Sequence, residues 1–565
     1  MTVTEPIAGF DVVIVGSGFG GSVAALRLTE KGYRVAVVEA GRRFADDEFP
    51  ETSWRLRRFL WAPRLGCYGI QRITLLRNVL VLSGAGVGGG SLVYANTLYR
   101  PPERFFADPQ WADITDWSAE LAPHYDQAER MLGVVPYVGE TPSDRAMRTV
   151  AEQMGVGDTF HNAPVGVFLG TPGEPVEDPY FGGVGPARSG CLQCGECMTG
   201  CRHNAKNTLV KNYLYLAEKA GARVFPRSTV TAVRPRPGGG YRVEMTRTGS
   251  VGTRANRQAF AADQVVFAAG ALGTQRLLHE MRDTGVLPGL SPALGTLTRT
   301  NSESIVGAKS NRSDVDFTRG VAITSSFHPD PDTHIEPVRY GHGSNAMGLL
   351  QTLLTDGGGR LPRSLKWLAE AARHPGALAR GISTRRWSER TIIALVMQSL
   401  DNSLTVRRRR GPFGGLTSSQ GHGEPNPGWI PAGNEAVRRL AELIDGTPGG
   451  SWGEIFNIPL TAHILGGCPI GADPEHGVVD AYQRVYGHPG LHVLDGAAVS
   501  ANLGVNPSLT ITAQAERAVS LWPNHGADDP RPPLGADYRR VEPVPPSDPV
   551  VPPSAPAALR LRPAR

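Results

Sequence analysis

The chain has 565 residues, 40% of them hydrophobic and 20% charged, with a formal net charge of +5. That length is too great for one simple core and predicts two intertwined domains. The composition is that of an ordinary globular protein, and so small a positive balance gives no reason to expect nucleic acid as a partner. The start of the chain lacks the basic cluster and apolar run of a signal peptide, and no stretch approaches about eighteen uninterrupted apolar residues. The cytoplasm is therefore the expected compartment.

In chain order, residues 10–41 carry the first strong pattern, FDVVIVGSGFGGSVAALRLTEKGYRVAVVEAG. The apolar run from Val12 predicts a strand, Gly16 to Gly21 a tight turn, the next stretch a helix, and the run ending at Glu39 a second strand. Gly16 permits the turn, Gly18 lets the backbone approach a pyrophosphate, and Gly21 lets the helix pack on the strand, with the helix N-terminus facing the phosphates. Glu39 stands 18 residues beyond Gly21, where an acid bonds a ribose hydroxyl. The unit is read as a dinucleotide site, without saying which dinucleotide.

Residues 84–97, GAGVGGGSLVYANT, suit backbone wrapped against a flat or phosphorylated ligand, or a loop packed on another segment. Residues 102–156 read as mostly helical. β-type sequence returns after the cysteines, and QVVFAAGALGTQRLL repeats the strand-to-glycine-turn logic at Gly270 and Gly273. Residues 300–455 show no phosphate-binding character. Within them, residues 364–387 mix Trp and Leu with Arg and Lys, as an amphipathic lid touching a membrane surface or as an ordinary cationic helix pair. The run Arg407 to Arg410 reads as a solvated face. HILGGCPIG and LDGAAVSANLGVNPSLTITAQAER return to the core, and the Pro-rich stretch beyond Pro523 is expected to be disordered.

Together VIVGSGFGGSVAALRL, GVGGGSLV, VVFAAGALGTQRLL, HILGGCPIG and the closing LDGAAVSANLGVNPSLTITAQAER resemble, in order, the glucose-methanol-choline (GMC) family of FAD oxidoreductases. Within it they are most similar to the cholesterol oxidases that bind FAD non-covalently. The resemblance implies an α/β fold: a Rossmann-like FAD-binding domain with a discontinuous α+β substrate domain built on a β-sheet. The corresponding division gives FAD-binding parts at 1–110, 181–299 and 456–523, a connecting segment at 111–180, a substrate domain at 300–455 and the tail at 524–565. The resemblance further implies that Gly16, Gly18, Phe19, Gly20 and Gly21 line the pyrophosphate, and that Glu39 holds the ribose. Gly89, Gly90 and Ser91 would pass beside the flavin, Val230 would meet the adenine, and Asp495 and Gly496 the ribityl chain and phosphates. Tyr94 stands where the family commonly has Asn, with Asn96 near enough to substitute.

Oxidising an alcohol requires a hydride acceptor, here FAD, and a polar group that binds the hydroxyl and takes its proton. His463 suits that role because imidazole titrates near neutrality. Asn506, before Pro507, is expected both to cap a helix aimed at the flavin and to hold the substrate oxygen opposite His463. Glu336 is the candidate base for moving a Δ5 double bond to Δ4. The expected substrate is sterol-like, and the electron acceptor is O2 or a redox protein.

Four of the six cysteines fall within eleven residues: Cys191, Cys194, Cys197 and Cys201. The spacing C-x2-C-x2-C-x3-C is that of a [4Fe-4S] site, with structural zinc or free thiols as alternatives. Arg202 replaces the usual following proline, so Cys201, Cys67 and His203 all stand as candidates for the fourth ligand. A cluster would favour a dehydrogenase, or an electron-transfer flavoprotein, over an oxygen-consuming oxidase.

Overall fold

The computed structural model describes residues 7–250, 257–409 and 414–560. Arg410, the last of the arginine run, lies outside the described residues, whereas Arg407 and Arg409 are exposed.

The first glycine turn connects two strands of a seven-stranded sheet. Strands Arg223–Phe225, Val35–Val38, Ile7–Val15, Arg257–Phe267 and Leu491–Val493 lie parallel, and the antiparallel strands Tyr241–Arg247 and Ser228–Pro235 extend the Arg257–Phe267 edge. Val12, Val13 and Ile14 are fully buried, as continuous apolar runs in parallel strands require when both faces are covered. Helices Phe19–Glu30, Tyr213–Lys219 and Ser508–Ser520 pack together and share a buried polar knot. Arg27 Nε and Nη2 each lie 2.9 Å from a Glu516 carboxylate oxygen, and Tyr213 Oη donates to the same carboxylate at 2.7 Å. Breaking one partner of such a knot strands a buried charge, at a cost of about 3 kcal/mol or more.

The second sheet is antiparallel. It orders Gln351–Leu353, Gly446–Ser451, Ser304–Ser310, Thr391–Gln398, Thr333–Val338, Ser325–Asp330 and His161–Asn162. Side chains alternate along its central strand. Ile392, Ala394 and Val396 enter the core beneath helices Pro142–Gln153 and Pro431–Leu443, whereas Ile393, Leu395 and Met397 face the nucleotide-binding half.

The tail is a correction to the sequence reading. Residues 524–560 are laid down on the first domain, with Val551, Ala555 and Ala557 buried. Val550 N donates to Glu30 Oε1 at 2.9 Å, and Gln127 Nε2 to the Ala557 carbonyl at 3.3 Å. Composition speaks only to what the tail could bury on itself. Here the apolar partner is the finished domain, and proline lowers the entropy lost on ordering.

Candidate active site

A cavity of about 530 Å³ runs from the glycine turn to the second sheet. Gly18, Phe19, Gly20, Gly90, Tyr94, Asp495 and Gly496 line one end, and Ile305, Gly307, Val338, Ile393 and Leu395 floor the other. A Cβ on Gly18 or Gly270 would meet no protein atom, so the space beside these lining residues is room for a ligand. Gly16 and Gly20 serve the protein instead. Gly16 has φ +103°, and a Cβ on Gly20 would lie 1.6 Å from the Leu494 carbonyl. Gly21 and Gly89 do the same, with virtual Cβ atoms 2.2 Å from Gly16 O and 2.6 Å from Gly18 Cα.

Glu39 Oε2 accepts from Ser17 N at 3.0 Å and Ser17 Oγ at 2.8 Å, and Oε1 accepts from Gly41 N at 2.7 Å. The carboxylate is thus fixed at the strand end, with lone pairs to spare. Asp495 accepts from Gly270 N at 2.8 Å, Thr274 Oγ1 at 2.6 Å and Ala497 N at 2.9 Å. Burial pushes its carboxyl up to about 6 against these donors.

Of the residues expected at the cofactor, Gly16, Gly21, Glu39, Gly89, Ser91, Val230 and Asn96 stand off the cavity wall. Ser91 locks its own loop, donating to the Gly88 carbonyl at 2.7 Å and accepting from Leu209 N at 3.0 Å. Val230 sits at a bulge where strand pairing shifts between Val230 and Ala232. Asn96 does not substitute for Tyr94. It is fully buried with φ +73°, and its amide neighbours Cys197, because the left-handed backbone turns it off the wall that Tyr94 lines.

On the cavity wall His463 and Asn506, both from the third FAD-binding part, come together, with Asn506 Nδ2 3.5 Å from His463 Nε2. The helix cap is a second correction. Helix Ser508–Ser520 has Pro507 at its N-cap position with no side-chain cap bond, and Asn506 Nδ2 donates instead to Glu336 Oε2 at 3.3 Å. The helix start still faces the cavity through Pro507, Ser508 and Ile511.

Behind His463 stands Glu303, which the sequence reading missed. Its Oε2 is 2.8 Å from His463 Nδ1, off the line of an ideal hydrogen bond that a small ring rotation would restore. Thr461 Oγ1 donates to Glu303 Oε2 at 2.8 Å and Ala462 N to Oε1 at 3.0 Å. Glu303 belongs to no recognisable motif, and only the fold brings it to His463. Glu336 lies opposite Leu395 in the sheet, on the cavity-facing side but behind Asn506, and is fully buried. Burial pushes its carboxyl up to about 8. The alternation of His334 and Glu336 within an apolar strand was the signal available in sequence.

The four cysteines converge on a second, small cavity together with Glu196, His203 and Lys206. None of them is in a disulfide, and burial pushes Cys191 up to about 12. Lys206 Nζ donates to the carbonyls of Leu92 at 3.0 Å and Cys197 at 2.8 Å. Cys67 lies on the strand Cys67–Tyr68, away from this wall, and Cys468 is core.

Residues 11–335 match the FAD dependent oxidoreductase family, and residues 455–515 match GMC oxidoreductase. The chain is an FAD-dependent oxidoreductase and belongs to the GMC family. It is 65% identical over 567 residues, with 98% of each chain covered, to a cholesterol oxidase of Mycobacterium tuberculosis. It is 45% identical to a cholesterol oxidase of Acinetobacter baumannii, with 91% of this chain and 94% of that protein covered. Among solved structures, pyridoxine 4-oxidase from Mesorbium loti shares the fold, with TM-score 0.57 at 16% identity over 90% of this chain and 98% of that one. No helix among the described residues is long and apolar enough to cross a membrane.

Proposed function

We propose that this protein oxidises the 3β-hydroxyl of a sterol to a ketone, with cholesterol as the test substrate. The observation that carries the reading is the pairing of His463 with Asn506 where the glycine-lined end of the cavity meets its apolar floor. FAD, when bound, supplies the hydride acceptor. Asn506 holds the substrate oxygen, and His463 Nε2 takes its proton while Glu303 orients the ring through Nδ1. The apolar floor of Ile305, Val338, Ile393 and Leu395 suits a fused hydrocarbon ring system. Moving the Δ5 double bond would need the Glu336 carboxyl to reach the cavity past Asn506, and product analysis for the conjugated Δ4 ketone decides that step. Anaerobic addition of cholesterol should bleach the bound flavin; a flavin that no 3β-hydroxysteroid or other alcohol reduces ends the proposal.

Two further parts of the reading rest on separate features. Four cysteines lining one small cavity beside the buried Lys206 ammonium suit an anionic thiolate cluster, and we read them as ligands for [4Fe-4S], passing electrons to a protein acceptor. Iron content with a broad absorbance near about 400 nm tests this, and colourless, iron-free apoprotein after anaerobic purification overturns it. Helices Arg363–Arg373 and Pro375–Ile382 expose Leu365, Leu368 and Ile382 among basic residues, beside the edge strand whose Gln351 lines the cavity. That surface is read as a transient contact with an anionic lipid face. Loss of vesicle co-sedimentation in Leu365→Asp/Leu368→Asp is the expected result, and unchanged sedimentation refutes the contact.

A further inference from the structure

The glycine turn is flanked on two sides by elements that each carry an arginine to the cavity wall. Gly18 begins helix Phe19–Glu30, which has no side-chain cap and no acidic residue in its first turn. A Cβ on Gly89 would lie 2.6 Å from Gly18 Cα, and one on Gly84 would lie 2.6 Å from the Gly89 carbonyl oxygen. The hairpin of strands Gln71–Leu75 and Leu80–Gly84 is thereby packed against one side of the turn. On the other side a Cβ on Gly16 would lie 2.2 Å from the Ala268 carbonyl oxygen, which sets Ala268 to Gly270, and helix Ala271–Asp283 after them, against the turn.

On the hairpin, Arg72 and Thr74 line the cavity and alternate with the exposed Ile73 and Leu75. Arg72 pairs in register with Ser83, the neighbour of Gly84, and its guanidinium carbon lies 5.5 Å from the Trp61 ring centroid. On the helix, Leu272, Gly273 and Arg276 line the cavity, and a helical side chain leans back toward the N-terminus, here toward Gly270. Among the described residues neither arginine makes a hydrogen bond or an ion pair. Glu39 acts on Arg72 from a distance, but its oxygens are engaged by Ser17 and Gly41. Glu280, which acts on Arg276, stands one turn further along the same helix and is exposed. The two cations also act on one another: burial first, and then the Arg276 charge, push the Arg72 guanidinium down to about 10. Like charges on two walls of one cavity, with no counter-ion from the chain, call for an anionic occupant.

We propose that Arg72 and Arg276 form a clasp that holds the diphosphate of FAD from the two sides of the glycine turn. The helix start at Gly18 offers that diphosphate backbone amides, which carry partial charge only. A guanidinium adds a full charge and a planar fork of donors matched to phosphate oxygens. Neither arginine belongs to the turn motif: one comes from a hairpin later in the chain, the other from the helix after the second glycine turn. The clasp sets how tightly FAD is retained and takes no part in moving the proton or the hydride. It therefore stands independently of which alcohol is oxidised.

The test follows FAD release from the full-length holoenzyme, read as the rise of free-flavin fluorescence after dilution, with no substrate present. Arg72→Gln and Arg276→Gln should each release FAD about tenfold faster than wild type, as one lost charge-assisted bond implies. Arg72→Lys and Arg276→Lys keep the charge but lose the fork, and should stay within about threefold of wild type. Phosphorus NMR adds a readout that a packing role would not move: each lysine variant should shift the resonances of the bound diphosphate. Release at the wild-type rate in both glutamine variants overturns the clasp. Equal loss in the lysine and glutamine forms also overturns it, because the arginines would then act through packing. Where a glutamine variant does not retain FAD through purification, the lysine form decides, and unmoved phosphorus resonances in it overturn the proposal. A holoenzyme that behaves as expected here yet oxidises no sterol removes the function reading and leaves the clasp standing.

Discussion

Two carboxylates approach the His463–Asn506 pair, and their surroundings differ. Glu303 accepts from a hydroxyl and a backbone amide and lies 2.8 Å from an imidazole nitrogen. Glu336 receives one long bond from Asn506 at 3.3 Å, its second oxygen has no partner, and burial pushes it up to about 8. Both are fully buried. Burial alone disfavours either anion, and Glu303 has the donors to offset that cost where Glu336 has few. The well-bonded carboxylate is suited to orienting a base, and the poorly bonded one, pushed up to about 8, to exchanging a proton near neutrality.

Removing the group that Glu303 serves should give the largest effect. His463→Ala is expected to slow anaerobic flavin reduction by cholesterol by about 10³-fold, within the usual range for a lost general base. Glu303→Gln keeps the shape but offers His463 Nδ1 either an amide N–H or a neutral oxygen, and should slow the same step on the order of 10²-fold. Rapid reduction in both variants would leave the comparison without chemical content.

How far such a comparison was legible in sequence depends on range. The turn at Gly16–Gly21 and the acid Glu39 announce themselves because local backbone geometry demands those residues at that spacing, whereas the Asp495-Gly496 pair was marked only by the family resemblance. His463 was marked by its motif, but Glu303 lies 160 positions upstream and reaches it only through the fold. The apposition of Ser326 and His161 depends on strand register, which a period-two pattern does not specify by itself. Asn506 misled in a different way. Asn before Pro reads as a helix cap, yet Pro507 takes that position and the amide turns to a buried carboxylate. The tail was misread because its apolar partners lie elsewhere in the chain.

Stability should separate the two acids next. The Glu336 carboxyl sits near 4.5 unfolded and about 8 folded, so between those values the folded chain binds more protons than the unfolded one. Stability then falls as pH rises through that window and levels off above it. Glu336→Gln lacks this titration, so its Tm should gain on wild type by several degrees between about pH 5 and 8. A Tm difference that does not change with pH would show that Glu336 is no less well solvated than Glu303.

The smallest expected effect makes Glu303 resemble Glu336 by one donor. Thr461→Val keeps the side-chain volume and removes the hydroxyl that donates to Glu303 Oε2 at 2.8 Å, leaving the Ala462 amide in place. A hydrogen bond to a buried charge is worth at least about 1 kcal/mol, so the anion should weaken by that amount. Its hold on His463 weakens with it, and flavin reduction near neutral pH should slow about fivefold. His463 N also donates to Thr461 Oγ1, at 3.0 Å, so a displaced ring adds to the loss. Reduction at the wild-type rate in Thr461→Val would refute the account in which the hydroxyl's bond to Glu303 steadies His463.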